Sequence, residues 1–177
     1  ADLYLQLADL QAEKSNILYY QMMERDKTIA KKVSTTEKLN PIVVAQQEAI
    51  SLYQQILKEF PNFDKRSRVL YRLALSQKAI DQAAGFEATA DKLIHDFPTT
   101  KEAMQARVLL GQFYFEIHDL KRSLQVLDPA KDIAFPYERN AARYRIGIIL
   151  INEEKFAESL SMFEKVATDA ELKDDDN

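Results

Sequence analysis

Phe60-Pro61, Phe97-Pro98 and Phe135-Pro136 divide the chain at intervals of 37 and 38 residues. Proline cannot continue a helix and pushes the residue before it out of the α region, so each pair marks a stop. Two of the three glycines, Gly111 and Gly147, recur 36 residues apart. A period in this range belongs to chains built from helix pairs, each of which buries its apolar face only against a neighbour. Glycine scarcity points the same way. Three in 177 residues, against an average near 7%, leaves too few for strands joined by tight turns. The expected fold class is all-α, a helical-repeat solenoid of antiparallel helix pairs, and binding along an extended surface is the first functional expectation.

Bulk properties exclude several function classes. A chain of 177 residues with 46% hydrophobic and 29% charged residues is globular and of single-domain size. Its net charge of -4 and pI near 5.3 argue against nucleic acid as a partner. Basic pairs such as Lys31-Lys32 and Lys65-Arg66 are too few to draw the chain to an anionic membrane. No apolar run approaches the length a membrane-spanning helix needs. The absence of cysteine rules out disulfides, thiolate metal sites and a cysteine nucleophile, while leaving the compartment open. The opening at Ala1-Asp2 and the run Asp174-Asp175-Asp176 read as the ends of a mature form or of a fragment of a longer chain.

Along the chain, Leu3, Leu7, Leu10, Lys14 and Ile17/Leu18 take the three-four spacing of an amphipathic helix. That helix extends through Tyr19, Tyr20, Met22 and Met23 to about Lys32, and a loop follows over 33–40. Asn40-Pro41 is an N-cap with proline in the first helical position, opening a helix to Phe60 with Ala49, Leu52/Tyr53, Ile56 and Phe60 on one face. Arg66 to about Ile80 forms the next helix, carrying Leu70, Leu73, Ala74 and Gln77. Gly85 lies near its turn, and Phe86 to Phe97 is its partner. Thr99 and Glu102 fit a capping box before a helix bearing Ala106, Leu110, Gly111 and Tyr114. Its partner runs from Leu120 towards Phe135, with Pro129 as a kink or early stop. Glu138–Asn152 and Lys155 to about Ala170 complete the set, and 171–177 reads as a frayed tail. Four helix pairs over 1–170 result, the first interrupted by an insertion near 15–40.

These residues resemble the tetratricopeptide repeat. The last unit reads Arg143-Tyr144-Arg145-Ile146-Gly147-Ile148-Ile149-Leu150, then Phe156, Ser159, Phe163 and Val166; the third reads Leu110-Gly111-Gln112-Phe113-Tyr114, then Leu120, Ser123 and Leu127. The second has Leu70, Leu73-Ala74 and Ala90. The first has Tyr4, Leu7-Ala8 and Gln11, then Ala49, Tyr53 and Phe60-Pro61. The family's usual tryptophan is missing, and Ser123 and Ser159 stand where it has alanine. The closing Phe-Pro and long period look like repeats of bacterial cell-envelope proteins similar to outer-membrane assembly lipoproteins and the Tol-Pal coordinator. Leu5-Gln6-Leu7-Ala8 with Glu13-Lys14-Ser15 is similar to repeat proteins of gliding-motility machinery. That likeness implies the periplasm or cell envelope rather than the cytoplasm.

What the resemblance implies about function is a non-catalytic scaffold that binds a peptide or helix of another protein in a concave groove. Carried over residue by residue, the groove positions are Arg68, Tyr71 and Lys78, then Gln105, Val108, Gln112 and Phe115, then Tyr144, Ile148, Ile151 and Asn152. Aromatics there anchor a partner and amides pair with its backbone. The last of these helices is apolar nearly all round, so Ile148 and Ile151 are either groove contacts or internal packing. Tyr19, Tyr20, Met22 and Met23 are a second surface or core filling. Self-association through apolar ends is an alternative, because no polar capping helix is evident.

An enzymatic reading rests on His95-Asp96 and His118-Asp119. All-helical metal-dependent phosphohydrolases use such residues, and His95, His118 and Asp119 are chemically sensible ligands. The bland reading places His118-Asp119 in a turn and His95 at a helix C-terminus, where the dipole favours it. Asp174-Asp175-Asp176 lacks the glycine and distal glutamate of a calcium loop. No phosphate loop or Ser-His-Asp set is present, and no cofactor or metal is expected.

Overall fold

The computed structural model describes residues 1–25 and 41–174. Among these residues the chain is helical, without strands: α1 (Asp2–Arg25), α2 (Pro41–Glu59), α3 (Arg66–Ala79), α4 (Ala83–Asp96), α5 (Lys101–Glu116), α6 (Leu120–Leu127), α7 (Pro136–Asn152) and α8 (Phe156–Asp174). A 3-10 turn, Asp128–Ala130, follows α6. The first helix's expected continuation to Lys32, the loop over 33–40, the Asn40 cap and the last three residues lie outside the described residues. The chain forms two compact units, Ala1–Leu93 and Ile94–Asn177, with the boundary inside α4.

In the first unit α1 packs on α2, and α2 on α3. Leu5, Ala8, Ala49, Ile50, Tyr53, Ile56, Val69 and Leu73 form its core. In the second unit α5 packs on α6 and α7 on α8, around Leu127, Ala130, Ala142, Ile146, Ile149 and Leu150.

The sequence period reappears as a repeated turn. Asp81, His118 and Glu154 follow α3, α5 and α7 with φ of 56°, 62° and 61°. After each, the next N–H reaches back five residues: Gln82 to the Gln77 carbonyl at 2.9 Å, Asp119 to Tyr114 at 2.8 Å, Lys155 to Leu150 at 2.9 Å. This is the left-handed C-terminal cap that ties off the helix's free carbonyls. Glycine usually supplies it, yet no glycine here has positive φ.

The glycines serve close approach instead. A Cβ on Gly111 would overlap Leu127, and one on Gly147 would fall 2.8 Å from Phe163 Cε1. Next to each contact a buried hydroxyl crosses between helices: Ser123 donates to the Gly111 carbonyl at 2.7 Å, and Ser159 to Gly147 at 2.9 Å. The two serines that depart from the repeat pattern therefore stitch α5 to α6 and α7 to α8. Ala8 and Ala74, at the equivalent place in the first unit, are fully buried.

Several expectations need correcting. α4 begins at Ala83, three residues before the expected Phe86, so Gly85 lies in its first turn, where a Cβ would meet the Gln77 side chain. Thr100 caps α5, accepting from the Ala103 N–H while its own hydroxyl donates to the Phe97 carbonyl. Thr99 and Glu102 thus make no capping box. Pro129 is an early stop, since α6 ends at Leu127. α7 starts at Pro136, two residues before the expected Glu138, because proline fits the first helical position. α8 continues past Ala170 to Asp174.

The largest difference concerns α1. Leu5, Ala8 and Ser15 are its buried residues, with Ala12 packed on the same core. The stripe that periodicity singles out faces the other way, with Leu3 80%, Leu7 47%, Leu10 61% and Ile17 50% exposed. Small residues let α1 lie close on α2, and a polar clasp fixes its rotation. The Tyr53 hydroxyl donates to Asp9 at 2.7 Å, Arg68 pairs with the same carboxylate at 3.2 Å, and Lys65 pairs with Asp2.

Candidate protein-binding face

The eleven positions carried over as groove residues, Val108 on α5 among them, fall on both units. Arg68, Tyr71 and Lys78 are on α3; Gln105, Gln112 and Phe115 are on α5; Tyr144, Ile148, Ile151 and Asn152 are on α7. Their environments differ. Arg68 is committed to Asp9, and Tyr71 and Lys78 are half-buried. Gln105 is half-buried, and Gln112 donates to Glu116 one turn on at 2.7 Å. Phe115 and Val108 pack against the core of the second unit, with the Arg145 guanidinium 5.2 Å from the Phe115 ring centre. Phe115 is thus largely internal.

α7 is different. Its residues Tyr137, Tyr144, Ile148 and Ile151 share one side at the i, i+4, i+7 spacing of a helix stripe. Tyr137 is 77% exposed, Tyr144 53% and Ile151 42%, with Ile148 half-buried. Ile146, Ile149 and Leu150 on the other side are buried. Of the two readings of this all-apolar helix, Ile151 is thus a surface residue and Ile148 lies at the margin.

α8 extends the face. Phe156 and Leu160, one turn apart, are 63% and 58% exposed, and Phe163 continues their stripe. Phe163 meets Tyr144 edge-on, with ring centres 5.8 Å apart, so the two stripes join across the helix pair. Phe156 and Leu160 were missed as surface residues because the repeat pattern assigns Phe156 to internal packing. The spacing Phe156-Leu160-Phe163 is that of an ordinary apolar helix stripe, so the sequence shows the stripe and not which way it faces.

The pair is held rigidly behind this face. Arg139 and Arg143 converge on Asp169 of α8 at 2.7 and 2.8 Å, with Arg143 89% and Arg139 78% buried as side chains. Other N–H groups of the two donate to the Ile133 and Lys131 carbonyls and to the Asp132 carboxylate, tying the segment before α7 to the same clasp. A groove of about 540 Å³ opens on another flank of α7, floored by Leu124, Ile146, Leu150 and Met162 and rimmed by Asp128, Lys131, Lys155 and Glu158. None of the carried-over residues lines it.

The candidate metal ligands have other occupations. His95 ends α4 beside Asp96, at 2.9 Å. His118 is the left-handed residue after α5. Asp119 caps α6, accepting the Arg122 N–H and pairing with its guanidinium, and these bonds hold its carboxyl below the usual carboxylate range. Among the described residues no group of three or more His, Asp or Glu is gathered as metal ligands, and no helix is long and apolar enough to cross a membrane. No family model matches the chain, and neither a curated protein nor a solved structure matches it.

Proposed function

We propose that this chain is a repeat protein of the tetratricopeptide type whose helix pairs stack as a solenoid, and that it acts without catalysis by holding a segment of another protein. The observation that carries the proposal is the joined apolar surface of α7 and α8, with Tyr144, Ile151, Phe156 and Leu160 all substantially exposed. A contiguous apolar patch on a rigid support is the usual mark of an interface. The partner segment that suits it is an amphipathic helix, whose i, i+4, i+7 side chains fit between two parallel rows of apolar residues. The clasp of Arg139 and Arg143 on Asp169 keeps the surface formed before the partner arrives, so binding orders only the partner.

The test is to pan a display library of amphipathic 20-residue peptides on the chain, then measure the enriched peptides against variants. Ile151→Asp and Leu160→Asp should weaken binding by roughly a hundredfold, as expected for anchors at the centre of an interface. Arg68→Ala on the other unit should leave it unchanged. Enriched peptides that bind both aspartate variants as tightly as the parent would overturn the proposal.

A further inference from the structure

The outward stripe of α1 has a spacing of its own. Leu3, Leu7, Leu10, Lys14 and Ile17 alternate in steps of four and three, the 3.5-residue repeat of a coiled-coil seam. Leu3 and Leu10 occupy d positions and Leu7 an a position, with Lys14 at the next a and Ile17 at the next d. The residues that pack α1 on its own unit, Leu5, Ala8, Ala12 and Ser15, lie at b and f, and Asp2 and Asp9, which clasp it there, lie at c. Those positions are on the opposite side of the helix. The seam therefore points directly away from the body that supports it.

We propose that this seam pairs with the same seam of a second copy of this chain, as a parallel, two-fold symmetric helix contact. Charge complementarity selects the occupant. In a parallel pair an a side chain lies next to the g residue that precedes the facing a position. Here those residues are Lys14 and Glu13. Both are exposed, and among the described residues neither takes part in an ion pair. Two copies in register place each Lys14 ammonium against the other copy's Glu13 carboxylate, so one symmetric contact settles both charges. A lysine in a seam otherwise made of leucine and isoleucine also sets register, because a slip of one heptad would bury it against leucine. Tyr20, 68% exposed at the g position one heptad on from Glu13, extends the apolar contact.

A seam of under three heptads is too short to hold two free peptides together, because each must first become helical. α1 is already ordered on its unit through Leu5, Ala8 and the Asp9 clasp, so association does not bear that cost. The contact is isologous, which closes at two copies rather than growing into a fibre. It is independent of the surface on α7 and α8.

Sedimentation velocity on the 177-residue chain across 1–100 µM, roughly the range for a modest interface of this size, gives the first readout. A dimer is expected, and a monomer throughout overturns the proposal. Leu7→Asp with Leu10→Asp should yield a monomer with unchanged circular dichroism, since both side chains are already in solvent. A dimer that survives this pair of changes lies elsewhere and also overturns it. Glu13→Lys should weaken the dimer roughly tenfold through like charges, and adding Lys14→Glu should restore it; failure of the exchange to restore it removes the charge pairing that selects a second copy. The chain has no cysteine, so Leu3→Cys is a clean reporter of direction. Parallel in-register helices bring the two thiols together and oxidation locks the dimer. A dimer that never cross-links at this position refutes the parallel arrangement.

Discussion

Gly111 and Gly147 show how one missing methyl sets the distance between two helices. At Gly111 a Cβ would run into the branch point of Leu127, a fully buried side chain with nowhere to go. At Gly147 it would meet only the edge of the Phe163 ring, 2.8 Å from Cε1, and that ring is partly open to solvent. Alanine gains about 1 kcal/mol over glycine inside a helix, whereas overpacking a filled core costs about 1–3 kcal/mol. Gly111→Ala should therefore destabilise by up to about 2 kcal/mol, while Gly147→Ala should be near neutral or stabilising, because the ring can swing away. Urea denaturation of the two variants measures the contrast, and equal shifts of the midpoint would contradict this account. The corresponding position in the first unit, Ala74, shows the other solution: the residue in register with Leu127 is Ala90, small and fully buried, so a methyl is tolerated.

At the scale of the element, α1 is held by its polar groups as much as by its apolar ones. Asp9 accepts from Tyr53 at 2.7 Å and pairs with Arg68, with Arg72 at 3.8 Å. Burial first, and then the hydrogen bond to Asp9 and its charge, push the Tyr53 hydroxyl well above the ordinary tyrosine range. A raised value in the folded chain means stability that is complete below about pH 10 and is lost as pH rises beyond it, where the unfolded tyrosine ionises and the native one does not. Tyr53→Phe should cost about 1.5–3 kcal/mol at neutral pH, the worth of a hydrogen bond to a charged group after solvation. It should also flatten the decline in stability above about pH 10. Urea midpoints taken in steps from pH 7 to 11.5 separate the two effects.

Helix existence was legible because proline stops, glycine spacing and apolar period all agree, and the buried sets of α2, α3 and α5 follow from them. The rotation of α1 was not. Its strongest apolar stripe is the outward one, and what turns it is a contact between Asp9 and Tyr53, 44 positions apart, which no local period reports. On the candidate face, Tyr144 and Ile151 were readable from position. Phe115 was not, because its burial depends on Arg145 and on α6 and α7 packing across it. Phe156 and Leu160 were hidden by a pattern that assigns the site of Phe156 to the interior.

Across the whole molecule, the three turns after α3, α5 and α7 place Asp81, His118 and Glu154 in the left-handed region. Side chains there cost about 1 kcal/mol each relative to glycine. Replacing all three with glycine should raise stability by about 1.5–3 kcal/mol, with the smallest share at Asp81, since aspartate tolerates this conformation best. The three sites lie in separate turns and share no partner, so the single effects should sum to within about 0.5 kcal/mol. Thermal melts of the three single variants and the triple check both the gain and its additivity.

These turns have a further consequence. Each ties off its helix with the same backbone hydrogen bond, and it accepts aspartate, histidine or glutamate at its pivot. The joint thus accepts different side chains at its pivot, each at a modest cost. Under the proposed stacking of helix pairs, duplicating or deleting a whole pair, turn included, requires no new joint to be invented, so such a chain can change length by copying its own text.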